Sequence, residues 1–296
     1  MAGTAEIRHH IAAVEETKKI TGAMELVSST RMRRVMSHIE QNHRYFEHVQ
    51  KTMKEILSSP HSITHPYLRE APEGGHCTFI VVTGDKGLCG AYNANVLNLA
   101  AKKMADKPKN ALVTIGRTAE VYFRARGREP DLTVLGLAQD PTLSRARGLA
   151  RDVMRLFDTG KTDEIQIIYT SFFGKTKNTA VSRRILPIVA DDYRNIEPHE
   201  TVTDIIYHPS EEVFDLLVPQ YVVGILFGVL VQSYASEHFA RMNAMHRATT
   251  NAQEMLESLR LQYNMARQAA ITNEIAEITG AAEILKKGAG MNGQPK

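Results

Sequence analysis

Apolar residues recur along the first sixty positions at steps of three and four. Ile7, Ile11 and Val14 open the row, Ile20, Met24 and Val27 repeat it, and Phe46, Val49, Met53 and Ile56 continue it. The last eighty positions show the same rhythm. Ala252, Leu256, Leu259, Tyr263, Ala266 and Ala270 form one row, and Ile271, Ile275, Ile278, Ala282 and Leu285 a second. Alternating steps of three and four are the seam of a left-handed coiled coil. The seam is imperfect, because Lys18 and Arg31 fall where a strict heptad places an apolar residue. Helix breakers agree with the rows. No proline precedes Pro60, none lies between Pro219 and Pro295, and no glycine lies between Gly228 and Gly280. Two long helices are predicted, from about residue 4 to 58 and from about 211 to 287. They would measure about 80 and 115 Å at about 1.5 Å per residue, against about 30 Å for a compact domain. Neither fits inside an ordinary globule, so a protruding rod is expected.

Between the helices the pattern changes period. Cys77–Thr83 reads as a buried strand that ends in a glycine-rich loop. Helix over 93–105, strand over 111–115, helix over 118–125, strand over 132–137 and helix over 142–157 follow, then strands over 164–170 and 179–189. Strands alternating with helices predict a mostly parallel sheet. The fold class is therefore α/β. A long antiparallel coiled coil of N- and C-terminal helices accompanies a central, Rossmann-like α/β domain with a mostly parallel sheet. The boundaries are 1–59 for the first helix, 60–210 for the central domain, 211–287 for the last helix and 288–296 for a flexible tail. If the helices meet near residues 58 and 212, Met24 falls opposite about residue 246 and residue 4 opposite about residue 266. About twenty residues of the last helix would then extend past the end of the first.

Composition narrows the function classes. The 296 residues are 43% hydrophobic and 23% charged, ordinary for a soluble folded protein. A net charge of +3 carries no polybasic signal for nucleic acid or a membrane surface. Cys77 and Cys89 form no Cys-x-x-Cys pair, which argues against a disulfide scaffold or a zinc knuckle. No signal peptide is read at the start. The longest uninterrupted apolar stretch, Tyr221–Val231, is well short of the roughly 20 residues that span a bilayer. Work at a membrane would go through partners.

Candidate chemistry is sparse. Gly84-Asp-Lys-Gly-Leu-Cys-Gly90 follows a strand and opens a helix, the place of a phosphate cradle. Its spacing is neither G-x-G-x-x-G nor a Walker A loop, and a tight turn that lets strand and helix pack closely is the simpler reading. Gly174-Lys-Thr176 lacks the glycine required five positions earlier, where Tyr169 stands. His38, His43 and His48 spiral around a helix, and His61 and His65 flank a proline-bounded loop, so no metal site is read. Cys89 is read as an inert thiol, with a nucleophile as the alternative, and Asp191-Asp192 as a solvated loop. Arg31, Arg33 and Arg34 suit either an acidic partner surface or a solvated face. No catalytic residue, cofactor or metal is expected.

Ile20-Thr-Gly-Ala-Met-Glu-Leu-Val-Ser-Ser-Thr-Arg-Met-Arg-Arg34, Gly87-Leu-Cys-Gly-Ala-Tyr-Asn93, Ala235-Ser-Glu-His-Phe-Ala-Arg-Met242 and Tyr263-Asn-Met-Ala-Arg-Gln-Ala-Ala-Ile-Thr-Asn-Glu-Ile-Ala-Glu-Ile278 stand in that order along the chain. Together they resemble the gamma subunit of F-type ATP synthases, bacterial in type, over Ile7 to Ala282. The resemblance implies a non-catalytic rotor, the central stalk. Its coiled coil would turn inside a hexamer of alpha and beta subunits. Its α/β foot would rest, with the epsilon subunit, on the membrane ring of c subunits, coupling ion flow to ATP synthesis or hydrolysis at beta. By position, Met24, Arg31, Arg33 and Arg34 match residues that face the lower collar of the hexamer. Arg241, Arg267 and Gln268 match residues that hydrogen-bond loops of beta, with Thr272 and Glu274 on the same helix. Tyr207 and His208 lie in the ring-facing foot. The implied location is the cytoplasmic face of the cell membrane, peripheral, without a span of its own and without nucleic acid.

Three departures from the family stand out. Gly22 replaces a commonly basic residue, His208 a commonly acidic one, and residues 286–296 run past the point where many relatives stop. Two rivals remain at the level of sequence. An α/β enzyme with helical arms would need Gly84–Gly90 as its phosphate loop. A free-standing coiled-coil scaffold would need a self-sufficient apolar seam.

Overall fold

The computed structural model describes residues 4–57, 65–172, 178–193 and 211–291. The chain divides into two compact units. One holds residues 1–25 and 245–296, the other residues 26–244. Helices α1 (Thr4–Leu57) and α5 (Glu211–Met291) each contribute to both.

The larger unit is built on five strands: β1 (Cys77–Val82), β2 (Asn110–Ile115), β3 (Leu132–Val134), β4 (Glu164–Phe172) and β5 (Asn178–Leu186). Their order is β3-β2-β1-β4-β5, with β1 to β4 parallel and β5 antiparallel to β4. Helices α2 (Tyr92–Ala105), α3 (Arg117–Arg124) and α4 (Leu143–Asp158) make the connections. All six residues of β1 are buried, because helices cover both faces, and this explains its uninterrupted apolar run. Alternation divides the strand. Cys77, Phe79 and Val81 pack with Val96, Leu97 and Ala100 of α2 and with Ala119 and Phe123 of α3. Ile80 and Val82 belong to the opposite core. There Leu149 and Val153 of α4 join Val49, Met53 and Ile56 of α1 and Phe214, Val218, Val222 and Ile225 of α5. Each large side chain so buried contributes about 1.5–3 kcal/mol. This core also accounts for the apolar character of α5, which is long and apolar enough to cross a membrane by composition alone. Half of its most apolar window is buried within the chain, as in the core helix of a globular domain.

Strand ends differ from the sequence reading where the backbone turns. Strand β3 stops at Val134, short of the expected residue 137, and Gly136 follows with φ +72°, a left-handed turn open to glycine. Strand β5 stops at Leu186, before Pro187, which has no N–H to continue the ladder. Pro219 lies inside α5, two turns from its start.

In the smaller unit the two helices run antiparallel. Val14 packs with Ala252, Leu256 and Leu259, flanked by Ile7 and Ile11. A polar ladder fixes the register. Arg260 donates to Glu15 Oε1 at 2.8 Å, Lys18 Nζ to Gln253 Oε1 at 2.5 Å, and Thr249 Oγ1 to Thr21 Oγ1 at 2.8 Å; His246 Nδ1 lies 3.1 Å from Glu25 Oε1. Glu25 beside His246 is the register expected from the helix lengths. Lys18, an apparent break in the seam, has its partner in Gln253. Past residue 267 the described part of α5 is exposed, including Ile271, Ile275 and Ile278. The helix continues to Met291, so the tail expected from residue 288 does not begin there. Glycine costs a helix about 1 kcal/mol relative to alanine but keeps its N–H, and Gly288 and Gly290 are carried within it. Residues 292–296 lie outside the described residues.

Candidate functional site: the loop after β1

In a doubly wound sheet, ligands bind outside the carboxyl ends of the strands where the strand order reverses. Here that point lies between β1 and β4, and α5 occupies it. Gln232 Oε1 accepts from Ser171 Oγ at 3.1 Å and from the Phe172 N–H at 3.4 Å. Ser236 Oγ donates to the Thr170 carbonyl at 3.3 Å. Glu237 presses its carboxylate on Gly84 so closely that a Cβ there would lie 2.8 Å from it. Arg241 Nη2 donates to Glu237 Oε1 at 2.6 Å, to the Gly87 carbonyl at 3.1 Å and to the Lys86 carbonyl at 3.4 Å. Glu237 and Arg241 are only 7% and 8% exposed.

The loop is also held from its other sides. The Gly84 N–H donates to Asn93 Oδ1 at 2.9 Å, and the Gly84 carbonyl accepts from Thr118 Oγ1 at 2.6 Å. Asp85 accepts from the Arg117 N–H at the start of α3 and from Gln139 Nε2. A phosphate would meet a buried carboxylate and an amide already bonded. Gly84 serves close packing, as the simpler of the two readings of this segment has it, whereas a Cβ on Gly87 or Gly90 would meet open space. Leu88 and Gly90 take φ +60° and +58° at its tip.

Burial sets the protonation states around the loop. Burial and the nearby Glu237 carboxylate push the Cys89 thiol up, and its Sγ accepts from Asn93 Nδ2 at 3.4 Å. A protonated, bonded thiol is the inert one. Burial and Glu164 push Cys77 up to about 12. His238 packs edge-on to Tyr234 with centroids 4.4 Å apart. Burial, Arg241 and Arg31 push it down to about 4, so it is neutral at pH 7. Burial also raises the Glu237 carboxyl, against the pull of Arg241.

The other sequence-predicted residues fall in three groups. Met24 is half-buried and Arg31, Arg33 and Arg34 are exposed on α1. Arg33 donates to Ser29 Oγ at 3.0 Å, and the charges of Arg31 and Arg34 both act on Tyr234. Arg267, Gln268, Thr272 and Glu274 are exposed on α5, with Thr272 Oγ1 donating to the Gln268 carbonyl at 2.9 Å. Tyr207 and His208 lie outside the described residues. Arg241 differs from the expectation that it reaches a partner's loop. It is buried, and its donors are turned on its own chain. Sequence reasoning also missed Glu237. Its i, i+4 spacing to Arg241 on an otherwise apolar helix was the available signal.

A family model described as ATP synthase matches residues 3–285. The ATP synthase gamma chain of Caldanaerobacter subterraneus subsp. tengcongensis is 39% identical over 295 residues, covering 95% of this chain and 99% of that one. The chain belongs to the ATP synthase gamma chain family. The gamma chain of Alkaliphilus metalliredigens is 37% identical, with 96% and 99% covered. Among solved structures, a chain of the Euglena gracilis mitochondrial ATP synthase (OSCP/F1/c-ring, rotational state 3) superposes with TM-score 0.68. It is 17% identical and covers 99% of this chain and 97% of its own. A chain of the rotor of the same enzyme in rotational state 1 gives 0.64 at 16% identity, with 90% and 98% covered. These two likenesses show a shared fold.

Proposed function

We propose that this chain is the central-stalk rotor subunit of a bacterial F-type ATP synthase. It turns within the alpha/beta hexamer and couples ion flow through the c ring to ATP synthesis or hydrolysis at beta. One observation carries the reading beyond family membership. The antiparallel pair of α1 and α5 ends near Thr4, and α5 continues with Ile271, Ile275 and Ile278 roughly half to two-thirds exposed. A row of isoleucines on a bare helix needs a cover. An apolar sleeve suits an axle, since apolar contact is non-directional and locks no single angle.

Within that reading Met24, Arg31, Arg33 and Arg34 face the lower collar of the hexamer. Arg267, Gln268, Thr272 and Glu274 meet loops of beta, while Tyr207 and His208 belong to the foot on the ring beside epsilon. The subunit has no active site of its own, and it works as a peripheral protein on the cytoplasmic face. Filling of the sheet's ligand crevice by Glu237 and Arg241 supports the non-catalytic reading. The test is complementation. Membranes lacking their own gamma chain should regain ATP-driven ion pumping when this chain is supplied, and it should co-purify with alpha, beta and epsilon. Failure to assemble, or assembly without pumping, would overturn the assignment.

A further inference from the structure

We propose that Glu237 and Arg241 are positioning residues that fix the angular setting of α5 on the α/β unit, through the loop 84–90, for the transmission of torque. The proposal rests on the rotor reading. It begins from two kinds of contact that α5 makes within this unit. From Phe214 to Leu230 its buried side chains are mostly apolar, with one polar contact at the start, Asp215 Oδ1 3.0 Å from His65 Nε2. Apolar burial resists separation but has no direction, so it sets the roll of a helix about its axis only weakly. From Gln232 onward directional contacts join the apolar ones that Ala235 makes with Val35 and Val231. Gln232 bonds Ser171 and Phe172, Ser236 bonds the Thr170 carbonyl, and Arg241 bonds Glu237 and the Lys86 and Gly87 carbonyls.

A guanidinium is a planar fork with donors in fixed directions. Held by the Glu237 carboxylate of its own helix, the fork reaches two successive carbonyls of the loop and so ties the setting of helix against loop. Gly84 closes the opposite side, since even a methyl group there would collide with Glu237. A slip of one residue would turn the α5 side chains by about 100° and strand two buried charges without partners. The loop is itself braced by Asn93 of α2 and Thr118 of α3, so it can serve as a fixed stop. Arg241 is the last buried residue of α5 in this unit. The device therefore stands where α5 leaves the sheet.

The experiment uses the assembled complex in membrane vesicles with this chain as the sole gamma chain, and reads ions pumped per ATP hydrolysed. At normal subunit content, Arg241→Met should lower that ratio. Arg241→Lys, which keeps the charge and loses the fork, should fall between. A second variant replaces the device with a covalent one: Gly84→Cys, Glu237→Cys and Arg241→Met together, assembled in its oxidised form. Pumping per ATP should approach that of the unmodified complex while the disulfide is closed, and fall when reductant opens it in the same vesicles. Equal ratios before and after reduction, or normal coupling in Arg241→Met, would overturn the proposal. An unmodified chain that assembles but never pumps would instead defeat the rotor reading and the proposal with it.

Discussion

Single residues show where local rules and the fold agree. Gly22 lies inside α1, where glycine is the poorest helix former after proline, and nothing lies within 4 Å of a Cβ built on it. Gly22→Ala should raise the stability of the isolated chain by up to about 1 kcal/mol, read as a higher urea midpoint with unchanged slope. An unchanged or lower midpoint would show that the space is needed. His238 makes a pH-dependent contribution. Its folded value of about 4 lies below the ordinary value near 6.5, so the unfolded chain takes up the proton first as pH falls. His238 therefore contributes stability above about pH 6.5 that is lost on the way down to about pH 4. The raised Glu237 carboxyl acts with the opposite sign, since protonating it favours the fold. The comparison that isolates His238 is the loss of unfolding free energy between pH 7 and pH 5, which should be smaller in His238→Gln than in the unmodified chain. Equal losses would refute the assignment. The resemblance pointed to Arg241 but not to its partners, because a pair bridging helix and loop is made by tertiary packing that no local pattern records. Arg267 remains exposed and available. Charged hydrogen bonds are worth about 1.5–3 kcal/mol, so Arg267→Ala should reduce ATP synthesis in membranes with normal subunit content. Unchanged synthesis would remove it from the coupling path.

Elements were legible in the sequence wherever the period was long and breakers were absent. The ends of α1 fall within one residue of the expectation, and β1, β2 and β4 within two. Their register was legible too. Glu25 beside His246 follows from the two helix lengths and one assumed meeting point. Strands β3 and β5 were overextended because Gly136 and Pro187 end them through backbone constraint, while the apolar residues continue past. The far end of α5 was underextended for the converse reason: glycines weaken a helix without ending it. The exposed isoleucines give this element its prediction. In the isolated chain, amides from about residue 270 to 282 should exchange quickly, because an unpaired helix frays. In the assembled complex they should become strongly protected. Equal exchange of 270–282 in both states would mean that no sleeve covers the helix.

For the molecule as a whole, the issue is whether an α/β sheet of this topology acts on a nucleotide by itself. A nucleotide would seek the crevice at the carboxyl ends of β1 and β4, with its phosphates on the loop that opens α2. Three features oppose it there. The Glu237 carboxylate stands against Gly84, the Gly84 amide is bonded to Asn93, and the Lys86 and Gly87 carbonyls point at Arg241. Admitting a phosphate would require α5 to withdraw two buried charges that satisfy each other, and opening such a pair costs several kcal/mol. The isolated chain should therefore neither bind ATP measurably in isothermal titration nor hydrolyse it. Weak binding that Glu237→Gln leaves unchanged would place a nucleotide elsewhere on the surface. Steady turnover by the pure chain, abolished by substitution within 84–90, would show that the crevice opens and would return the α/β unit to the enzymes.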